Sequence, residues 1–282
     1  MMQPEAARGY FPLIHKMLTG ELSPLSNHGL PEKHADCSLY SLDQEQKPVC
    51  QAGSTITENP GEVKDQSLFI LDVFGAITKY DQLCAWGMAS KAQWLSQADK
   101  NPNILGHIIR IDSPGGEGYA ALMFAQKLQS LQKPVFAFVE GMAASAAYWI
   151  ASATSFIGVS SSMDRVGSIG TYITLADYSQ WYNQQGVRLV DVYAQKSSEK
   201  NRDYLEAIKG NTSRIQSLVD SYNDIFLNQV MQSRKETLSE DTLWQSGKMF
   251  FAHEALENGL IDHVSGFEGF VKNIIEHLRS TQ

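Results

Sequence analysis

Apolar positions in the central part of the chain follow two alternating patterns. Short runs of consecutive apolar residues predict buried strands at 68–73, 104–111, 135–139 and 155–159. Between them, apolar residues recur every three or four positions, which predicts helices at 81–99, 118–131 and 145–153. Strands joined by crossover helices form parallel sheets, so we predict an α/β fold with a largely parallel sheet and active residues at strand ends and loops.

The pattern changes in the last third of the chain. We predict strands at 166–175 and 187–193, then one long helix over about 202–235, and a C-terminal helix within 266–282. The long helix carries one apolar stripe, formed by Ile215, Val219, Tyr222, Phe226 and Val230. Such a stripe more often packs in a core than binds a cofactor, although a helix of this length also suits subunit packing.

The first 66 residues form a separate zone. A short amphipathic helix is predicted at Tyr10 to Leu18, and residues 23–64 are polar with scattered Pro and Gly. Few apolar residues are present to offset the entropy of ordering, so we expect an arm that is partly flexible or docks on another subunit. The predicted organisation is an N-terminal arm at 1–66, one α/β domain at 67–265 and a C-terminal helix at 266–282.

Charge and hydropathy exclude two classes of protein. The chain has 282 residues and a net charge of −8, without a Lys/Arg run, which argues against nucleic-acid binding. No apolar stretch approaches the roughly 18 to 20 residues of a spanning helix, and the first residues lack the layout of a signal peptide. We therefore expect no membrane segment and a cytoplasmic location.

The three cysteines carry no sign of a metal site. Cys37, Cys50 and Cys84 lack metal-ligand spacing, and an odd count without an export signal favours free thiols, with a Cys37–Cys50 pair as the alternative. We expect neither a metal nor a cofactor.

A serine among small residues follows the apolar run 135–139. The segment from Gly141 to Trp149 is typical of a strand, a tight turn, and a helix that begins at Ser145. Unpaired N–H groups and the positive dipole end of a helix favour a developing negative charge, so Ser145 is a candidate nucleophile. The alternative is a helix N-cap or a small packing residue.

A second candidate segment lies about thirty residues upstream. An apolar strand ends in Asp112-Ser113-Pro114-Gly115-Gly116, and a helical pattern follows. Proline and glycine permit a loop that directs a bare N–H at a ligand oxygen. The loop would supply half of an oxyanion hole, completed by the N–H after the nucleophile. The alternative is an ordinary strand-to-helix turn.

Four segments in this order resemble the signal peptide peptidase A family of serine proteases and related phage head-maturation proteases. Besides the two above they are Val166-Gly167-Ser168-Ile169-Gly170 and Gly247 to Val264, so the resemblance covers about residues 67–265. It implies a Clp/crotonase-like fold of repeated β-β-α units and a serine nucleophile with a lysine base. Carried over, Ser145 is the nucleophile, the N–H groups of Gly116 and Ala146 are the oxyanion donors with Gly115 in support, and Ser168 hydrogen-bonds the lysine.

The lysine is assigned within the segment from Asp191 to Asn201. Lys200 is the first choice because it directly precedes the long helix, as the family's base does, and Lys196 is the alternative. The segment lacks the family's glycine, histidine and later proline, so two solvated loop lysines stay an open interpretation.

The histidines argue against a Ser-His-Asp triad. None lies between Ser145 and His253, where a Clp-type enzyme would place its base. We interpret His253 as a helix-start residue and His107 as a packed residue of a strand.

The resemblance implies a homo-oligomeric serine endopeptidase with a Ser-Lys dyad that cleaves peptides or unfolded protein segments. A role in phage capsid maturation, in the host cytoplasm, is included in this hypothesis. The alternatives are a crotonase-like acyl-CoA enzyme, a catalytically inactive scaffold of the same fold, and an esterase or amidase that acts on small substrates.

Overall fold

Parallel strands form most of the sheet in the described part of the chain. The computed structural model describes residues 36–50, 63–83, 85–188 and 190–280. The chain divides into two compact units, of which the first contains the residues up to Gly170 and from Leu227 onward, and the second contains Thr171–Phe226.

One mixed sheet belongs to the first unit. Among the described residues its nine strands are β1 Cys37–Leu42, β2 Pro48–Cys50, β3 Ser67–Phe74, β4 Ile104–Ser113, β5 Val135–Ala144, β6 Ile157–Val159, β7 Arg165–Gly167, β8 Met249–Phe251 and β9 His263–Val264. The order is β2-β1-β3-β4-β5-β6-β9, and β7 pairs with both β5 and β8. The pairs from β3 through β9, and β5 with β7, are parallel, whereas β1 and β8 pair antiparallel with their neighbours. The predicted α/β fold with a largely parallel sheet is confirmed.

Helices connect the strands and cover the sheet. They are α1 Met88–Lys100, α2 Gly118–Gln129, α3 Ala146–Ser152, α4 Ser179–Gln184, α5 Arg202–Ala207, α6 Ser213–Ser233, α7 Ala252–Glu257 and α8 Phe267–Ser280, with a short 3-10 helix at Thr242–Ser246. Helix α1 contacts β3 and β4, helix α3 contacts β4 and β5, and α2 packs against both helices.

The C-terminal helix, predicted from sequence and observed as α8, covers the other face of the sheet. Its residues Phe270 and Ile275 pack with Ile70, Ile108 and Phe138 in one buried cluster. Burial on both faces explains why the central strands have nearly continuous apolar sequences, which made β3, β4 and β5 predictable.

Two predicted helices have different bounds in the structure. The helix expected at 81–99 begins at Met88, because the Asp81 carboxylate accepts a hydrogen bond from the Gly87 N–H at 2.8 Å and holds the preceding residues in a loop. The single helix expected at 202–235 is wrong. Helix α5 ends at Ala207 and α6 starts at Ser213, since Gly210 takes a left-handed conformation at φ +96° that ends a helix.

Two predicted strands are also corrected. The strand expected at 166–175 ends at Gly167, because Ser168 has a φ of +52° that breaks the extended backbone. Among the described residues of 187–193 there is no strand.

Part of the expected arm belongs to the sheet. Strand β1 pairs with β3 from Cys37 to Tyr40, and the buried Lys91 ammonium donates a hydrogen bond to the Asp36 carboxylate at 2.7 Å. Residues 37–50 are ordered because pairing with β3 supplies the stabilisation that their own composition lacks, and the partly flexible or docking arm at 1–66 stays a prediction. The predicted helix at Tyr10 to Leu18 lies outside the described residues, and the domain boundaries at 66 and 265 stay predictions.

The two described cysteines are free thiols. The β1–β2 register places Tyr40, not Cys37, opposite Cys50. Burial raises the pKa of the Cys37 thiol to about 11, helped by the negative charges of Asp72 and Asp36. Cys84 lies outside the described residues.

Candidate active site

Strand β5 ends in a strained turn at Ser145. Ala144 pairs with Gly167 of β7, and the Ser145 N–H donates to the Gly167 carbonyl at 2.8 Å. Ser145 has φ +55° and ψ −120°, a conformation that side-chain-bearing residues rarely adopt. Such strain costs about 1–3 kcal/mol and persists only where the surroundings fix it. Pairing with β7 thus holds Ser145 in a backbone conformation that serine rarely adopts.

The Ser145 hydroxyl is buried and makes no hydrogen bond to the described residues. The residue is 3% exposed, and its Oγ has no hydrogen-bond partner among the described residues. Its side chain does not cap helix α3, although its carbonyl accepts the first helical bond from the Trp149 N–H at 3.0 Å. Ser145 thus occupies the N-cap position of α3 without a capping hydrogen bond from its hydroxyl. A buried hydroxyl without a partner is costly and calls for an explanation other than packing.

The backbone N–H of Ala146 opens helix α3. In the first turn of a helix the N–H groups have no acceptor within the helix. Ala146 and Ala147 are fully buried and carry only methyl side chains. The first turn therefore presents a polar N–H beside Ser145 without a bulky side chain in front of it.

The Gly115-Gly116 loop after β4 leaves the backbone N–H of Gly116 directed away from its neighbour Ile77. The Ile77 N–H donates to the Gly115 carbonyl and the Glu117 N–H donates to the Ile77 carbonyl, both at 2.9 Å. In this parallel bridge the peptide groups that flank Gly116 face Ile77, so the N–H of Gly116 points to the opposite side. A Cβ on Gly116 would lie 2.0 Å from the Ile77 carbonyl oxygen, so only glycine fits.

Strand pairing brings these segments to one edge of the sheet. Ser113 pairs with Ala143, so the loop with Gly115 and Gly116 and the turn with Ser145 follow neighbouring parallel strands at their carboxyl ends. The Ser113 hydroxyl supports the loop, since it donates to the Gly75 carbonyl at 2.6 Å and accepts from the Gly115 N–H at 3.2 Å.

Ser168 follows the strand on the other side of Ser145. Its N–H donates to the Lys248 carbonyl at 2.8 Å, and its φ is +52°. The preceding Gly167 has φ +122°, and a Cβ there would lie 2.6 Å from the same carbonyl oxygen. The Gly-Ser pair is thus a second strained turn at the same sheet edge, fixed by the antiparallel partner β8.

The two candidate lysines belong to the second unit. Lys196 and Lys200 are exposed, and both lie in the loop that precedes α5. Lys200 lines a cavity of about 300 Å³ together with Tyr193, Ser197 and Leu205. The neighbouring Glu199 is paired with Arg202 at 2.9 Å and Arg214 at 2.8 Å, so its charge is directed at these cations.

The histidines have the positions expected of structural residues. His107 is fully buried in β4, and its Nε2 lies 3.1 Å from the Asp99 carboxylate. Burial lowers the pKa of His107, while the hydrogen bond to Asp99 opposes that shift. His253 is exposed at the start of α7. The predictions of a packed His107 and a helix-start His253 are confirmed.

Two carboxylates that were not predicted from sequence shape this region. Asp164 is 5% exposed and accepts hydrogen bonds from Ser160, Ser161 and the Gly141 N–H. Asp112 accepts one from the Met142 N–H at 3.2 Å. A serine-rich turn that ends in aspartate indicates a local hydrogen-bonded turn, but it does not reveal a partner 23 residues away.

A buried ion pair, also missed, anchors the helix that follows Ser145. Arg234 is 4% exposed and binds the Asp262 carboxylate through two nitrogens, at 2.8 and 2.9 Å. It also donates to the Gly259 carbonyl at 2.9 Å. Tyr148 of α3 donates to the Leu260 carbonyl at 2.8 Å, and burial raises the pKa of its phenol. The segment 259–262 thus anchors helix α3, which begins directly after the turn at Ser145.

The described residues contain neither a metal-binding cluster nor a membrane-spanning helix. They contain no group of three or more His, Cys, Asp or Glu side chains arranged to hold a metal ion. No helix in the described part of the chain has the length and apolar character needed to span a membrane.

Comparison with known proteins points to one family. The family described as Peptidase family S49 matches residues 127–280, more than half of the chain. A putative protease of Methanocaldococcus jannaschii is 26% identical over 64% of this chain and 58% of its own length. A putative signal peptide peptidase SppA of Enterococcus faecium is 23% identical over 66% of this chain and 53% of its own.

A phage protein is similar over the same region. The head-tail preconnector protein GP5 of Enterobacteria phage P21 is 28% identical over 68% of this chain and 36% of its own length. The chain thus spans less than two thirds of each of these relatives. The predicted relationship to signal peptide peptidase A is confirmed, and with it the predicted Clp/crotonase-like fold.

Proposed function

Because the chain belongs to peptidase family S49, we propose that it is a serine endopeptidase in which Ser145 is the nucleophile and a lysine is the general base. The observation that carries this proposal is the Ser145 hydroxyl. It is buried, has no partner among the described residues, and sits on a backbone strained at φ +55°. Strain and an unused polar group cost stability, and both are typical of catalytic sites.

Acylation follows from this arrangement. The Ser145 Oγ attacks the carbonyl carbon of a peptide bond while its proton passes to the lysine amine. The C–N bond then breaks, and the lysine returns the proton to the leaving amine. Water attacks the resulting ester with the same lysine as base, which releases the acid and restores the serine.

The oxyanion formed in each step would be bound by the N–H groups of Gly116 and Ala146. Two features support this assignment: the Gly116 N–H points away from Ile77, and the Ala146 N–H is in the first turn of α3. Loss of one such donor typically costs 10²–10³-fold in rate. Gly115 supports the loop through its bonds to Ile77 and Ser113.

Lys200 is the proposed base, with Lys196 as the alternative and Ser168 as the residue that hydrogen-bonds it. A lysine acts as a base only in its neutral form, which removal from water favours. Both side chains are exposed in the chain alone, so enclosure by bound substrate is part of the proposal.

The proposed substrates are peptides or unfolded protein segments, and the proposed assembly is a homo-oligomer in the cytoplasm. Large apolar side chains of the second unit support the oligomer, since Val192 is 89% exposed, Tyr222 57% and Trp181 55%. A role in phage capsid maturation is the more specific form of the proposal, supported by the similarity to the phage preconnector protein.

A crotonase-like acyl-CoA enzyme and an inactive scaffold are the competing functions. The acyl-CoA reaction uses the same two backbone donors but leaves the strained, unpaired serine unexplained. Hydrolysis of acyl-CoA in preference to peptides would favour the first, and failure of any probe to react with Ser145 would favour the second. An esterase or amidase would cleave small substrates but not casein.

A fluorophosphonate probe tests the nucleophile. We expect it to label the protein at Ser145, and Ser145→Ala to remove the label. The matched control is Ser152→Ala on the same helix, because Ser152 is equally buried but its hydroxyl donates to the Trp149 carbonyl at 2.8 Å. Labelling that persists in Ser145→Ala would contradict the assignment.

The base is tested by comparing Lys200→Ala, Lys196→Ala and the exposed control Lys209→Ala in peptide hydrolysis. We expect only the first to lose activity. Loss confined to Lys196→Ala would reverse the order of the two lysines. A rise of kcat/KM around pH 6.5 that disappears when a histidine is replaced would exclude the dyad.

A further inference from the structure

Strand β5 changes its neighbour shortly before Ser145. Residues Ala137 to Val139 pair with β6, whereas Met142 to Ala144 pair with β7. On the opposite side, Ile111 pairs with Val139 and Ser113 with Ala143, so four steps along β5 match two along β4. Strand β5 thus contains a bulge of two extra residues, which turns the chain toward Gly167 and Ser145.

Asp164 fills the space where β5 leaves β6. Its carboxylate accepts hydrogen bonds from the Ser160 N–H and hydroxyl, both at 2.7 Å, and from the Ser161 N–H at 3.0 Å and hydroxyl at 3.1 Å. Its Oδ1 also accepts from the Gly141 N–H at 3.2 Å. The carboxylate therefore joins the turn between β6 and β7 to the bulge itself.

Asp112 contacts the bulge from the other side. Its Oδ1 accepts from the Met142 N–H at 3.2 Å. Gly141 has φ +108°, and a Cβ there would lie 2.7 Å from the same oxygen, so the carboxylate packs directly on the glycine. Successive N–H groups of the bulge are thus bound by two different carboxylates, from β4 and from the turn before β7.

The donors to Asp164 are all neutral, in contrast to those of the partly buried Asp262. Asp262 is paired with the guanidinium of Arg234, whereas the five bonds to Asp164 come from N–H and O–H groups. Burying a carboxylate on neutral donors is costly, and a serine or asparagine would suffice to close a local turn. The hydrogen bond that Asp164 accepts from the Gly141 N–H is the contact that a local turn does not require.

We infer that Asp164, assisted by Asp112, is a positioning residue that holds the bulge of β5 and thereby sets the Ser145 hydroxyl against the oxyanion donors. The inference rests on the proposed function of Ser145. Ser145 follows the bulge by only a few residues, and its own N–H is fixed by Gly167 of the strand that Asp164 precedes. A displacement of about 1 Å at a reacting atom can cost on the order of 10²-fold in rate.

The experiment compares Asp164→Ala and Asp164→Asn with the wild-type protein in the second-order rate of fluorophosphonate labelling. We expect a loss of about 10²-fold for alanine and roughly tenfold for asparagine, which keeps one acceptor oxygen. Asp112→Asn should lose less than Asp164→Asn, because its remaining oxygen still accepts from the Met142 N–H. Amide hydrogen exchange of Gly141 and Met142 should accelerate in the same order.

Asp99→Asn is the matched control. Asp99 accepts hydrogen bonds from the Gln132 and Lys133 N–H groups at 3.0 and 3.1 Å, just before β5, and from His107 at 3.1 Å. Its replacement should lower the melting temperature while the labelling rate of the folded protein stays within about twofold of wild type.

The outcomes separate this inference from the proposed function. Wild-type labelling at Ser145 together with an unchanged rate in both Asp164 variants overturns the inference alone. Absence of wild-type labelling overturns the function, and the exchange measurement then still decides whether Asp164 holds the bulge. Should Asp164→Ala not fold, Asp164→Asn and Ser161→Ala, which removes one donor to the carboxylate, carry the comparison.

Discussion

The two ends of β5 are built for different purposes. At its amino end the strand is in regular parallel register with β4 and β6, and Phe136 and Phe138 pack under α8. At its carboxyl end the register breaks, Gly141 takes φ +108° and Ser145 φ +55°. Each end is held by an aspartate that accepts backbone N–H groups, Asp99 at the first and Asp164 at the second.

The difference shows which end of β5 contributes stability to the fold and which end is strained. Burial of aromatic and aliphatic side chains at the amino end is large enough to hold a strained turn and an unpaired hydroxyl at the other end. Substitutions at the amino end should therefore change stability and spare the labelling of Ser145, whereas substitutions at the carboxyl end should change the labelling of Ser145 more than they change stability.

The largest effect on stability is expected for Phe138→Ala. The ring is fully buried, with its centroid 5.1 Å from that of Phe267 and 5.0 Å from that of Phe270. The loss of transfer free energy and the cavity left behind should lower the free energy of unfolding by about 3–5 kcal/mol, measured by urea denaturation. The fluorophosphonate labelling rate of the folded fraction should change less than about threefold. A much larger change in that rate would mean that the two ends are not separable.

The largest effect on reactivity without removal of the serine is expected for Gly116→Ala. The new Cβ would meet the Ile77 carbonyl oxygen at 2.0 Å, so the loop must move and its N–H must leave its position. Labelling of Ser145 should fall by about 10²–10³-fold, in line with the loss of one oxyanion donor. The control is Gly269→Ala on α8, where a Cβ meets nothing within 4 Å and labelling should be unchanged. Equal labelling of both variants would remove Gly116 from the site.

The same comparison explains what could be predicted from sequence. The amino half of β5 and its neighbours were predictable because burial on both faces gives continuous apolar runs. Strand β1 was not, since it offers only Leu39 and Leu42 as buried apolar residues and is ordered by pairing with β3, far along the chain. Pairing of this kind leaves no periodic pattern in the strand itself.

In the site, Ser145 was predictable because its turn and helix are local and its neighbours are small. The bulge was not, because Glu140-Gly141-Met142 has the composition of an ordinary strand end and its register depends on β4 and β7. The general base is harder still to predict from the sequence. Lys196 and Lys200 share one exposed loop of the second unit, so no local feature distinguishes them.

A smaller effect is expected from pH, and it should belong to the amino end. Burial lowers the folded-state pKa of His107 below its ordinary 6.5, so the unfolded state binds the proton more readily. Stability should therefore be full above pH 6.5 and fall as the pH drops below it, by at most about 1.4 kcal/mol per pH unit. Urea denaturation at pH 7.5, 6.5 and 5.5 measures the slope. His107→Gln should flatten it, and an unchanged slope would assign the pH dependence to another group.

The smallest effect tests whether Ser145 is strained. Glycine adopts positive φ without the steric cost that a Cβ imposes, so Ser145→Gly should relieve the strain that Ser145→Ala retains. Both variants lack the hydroxyl and should be unlabelled, which removes chemistry from the comparison. The glycine variant should be more stable than the alanine variant by about 1 kcal/mol in urea denaturation. In an ordinary helix, replacing alanine by glycine lowers stability, because glycine gains more entropy in the unfolded chain. The control Ala151→Gly on α3 should show this loss. A glycine variant that is less stable than alanine at both positions would mean that the turn at Ser145 stores no strain, and the contrast between the two ends of β5 would then rest on packing alone.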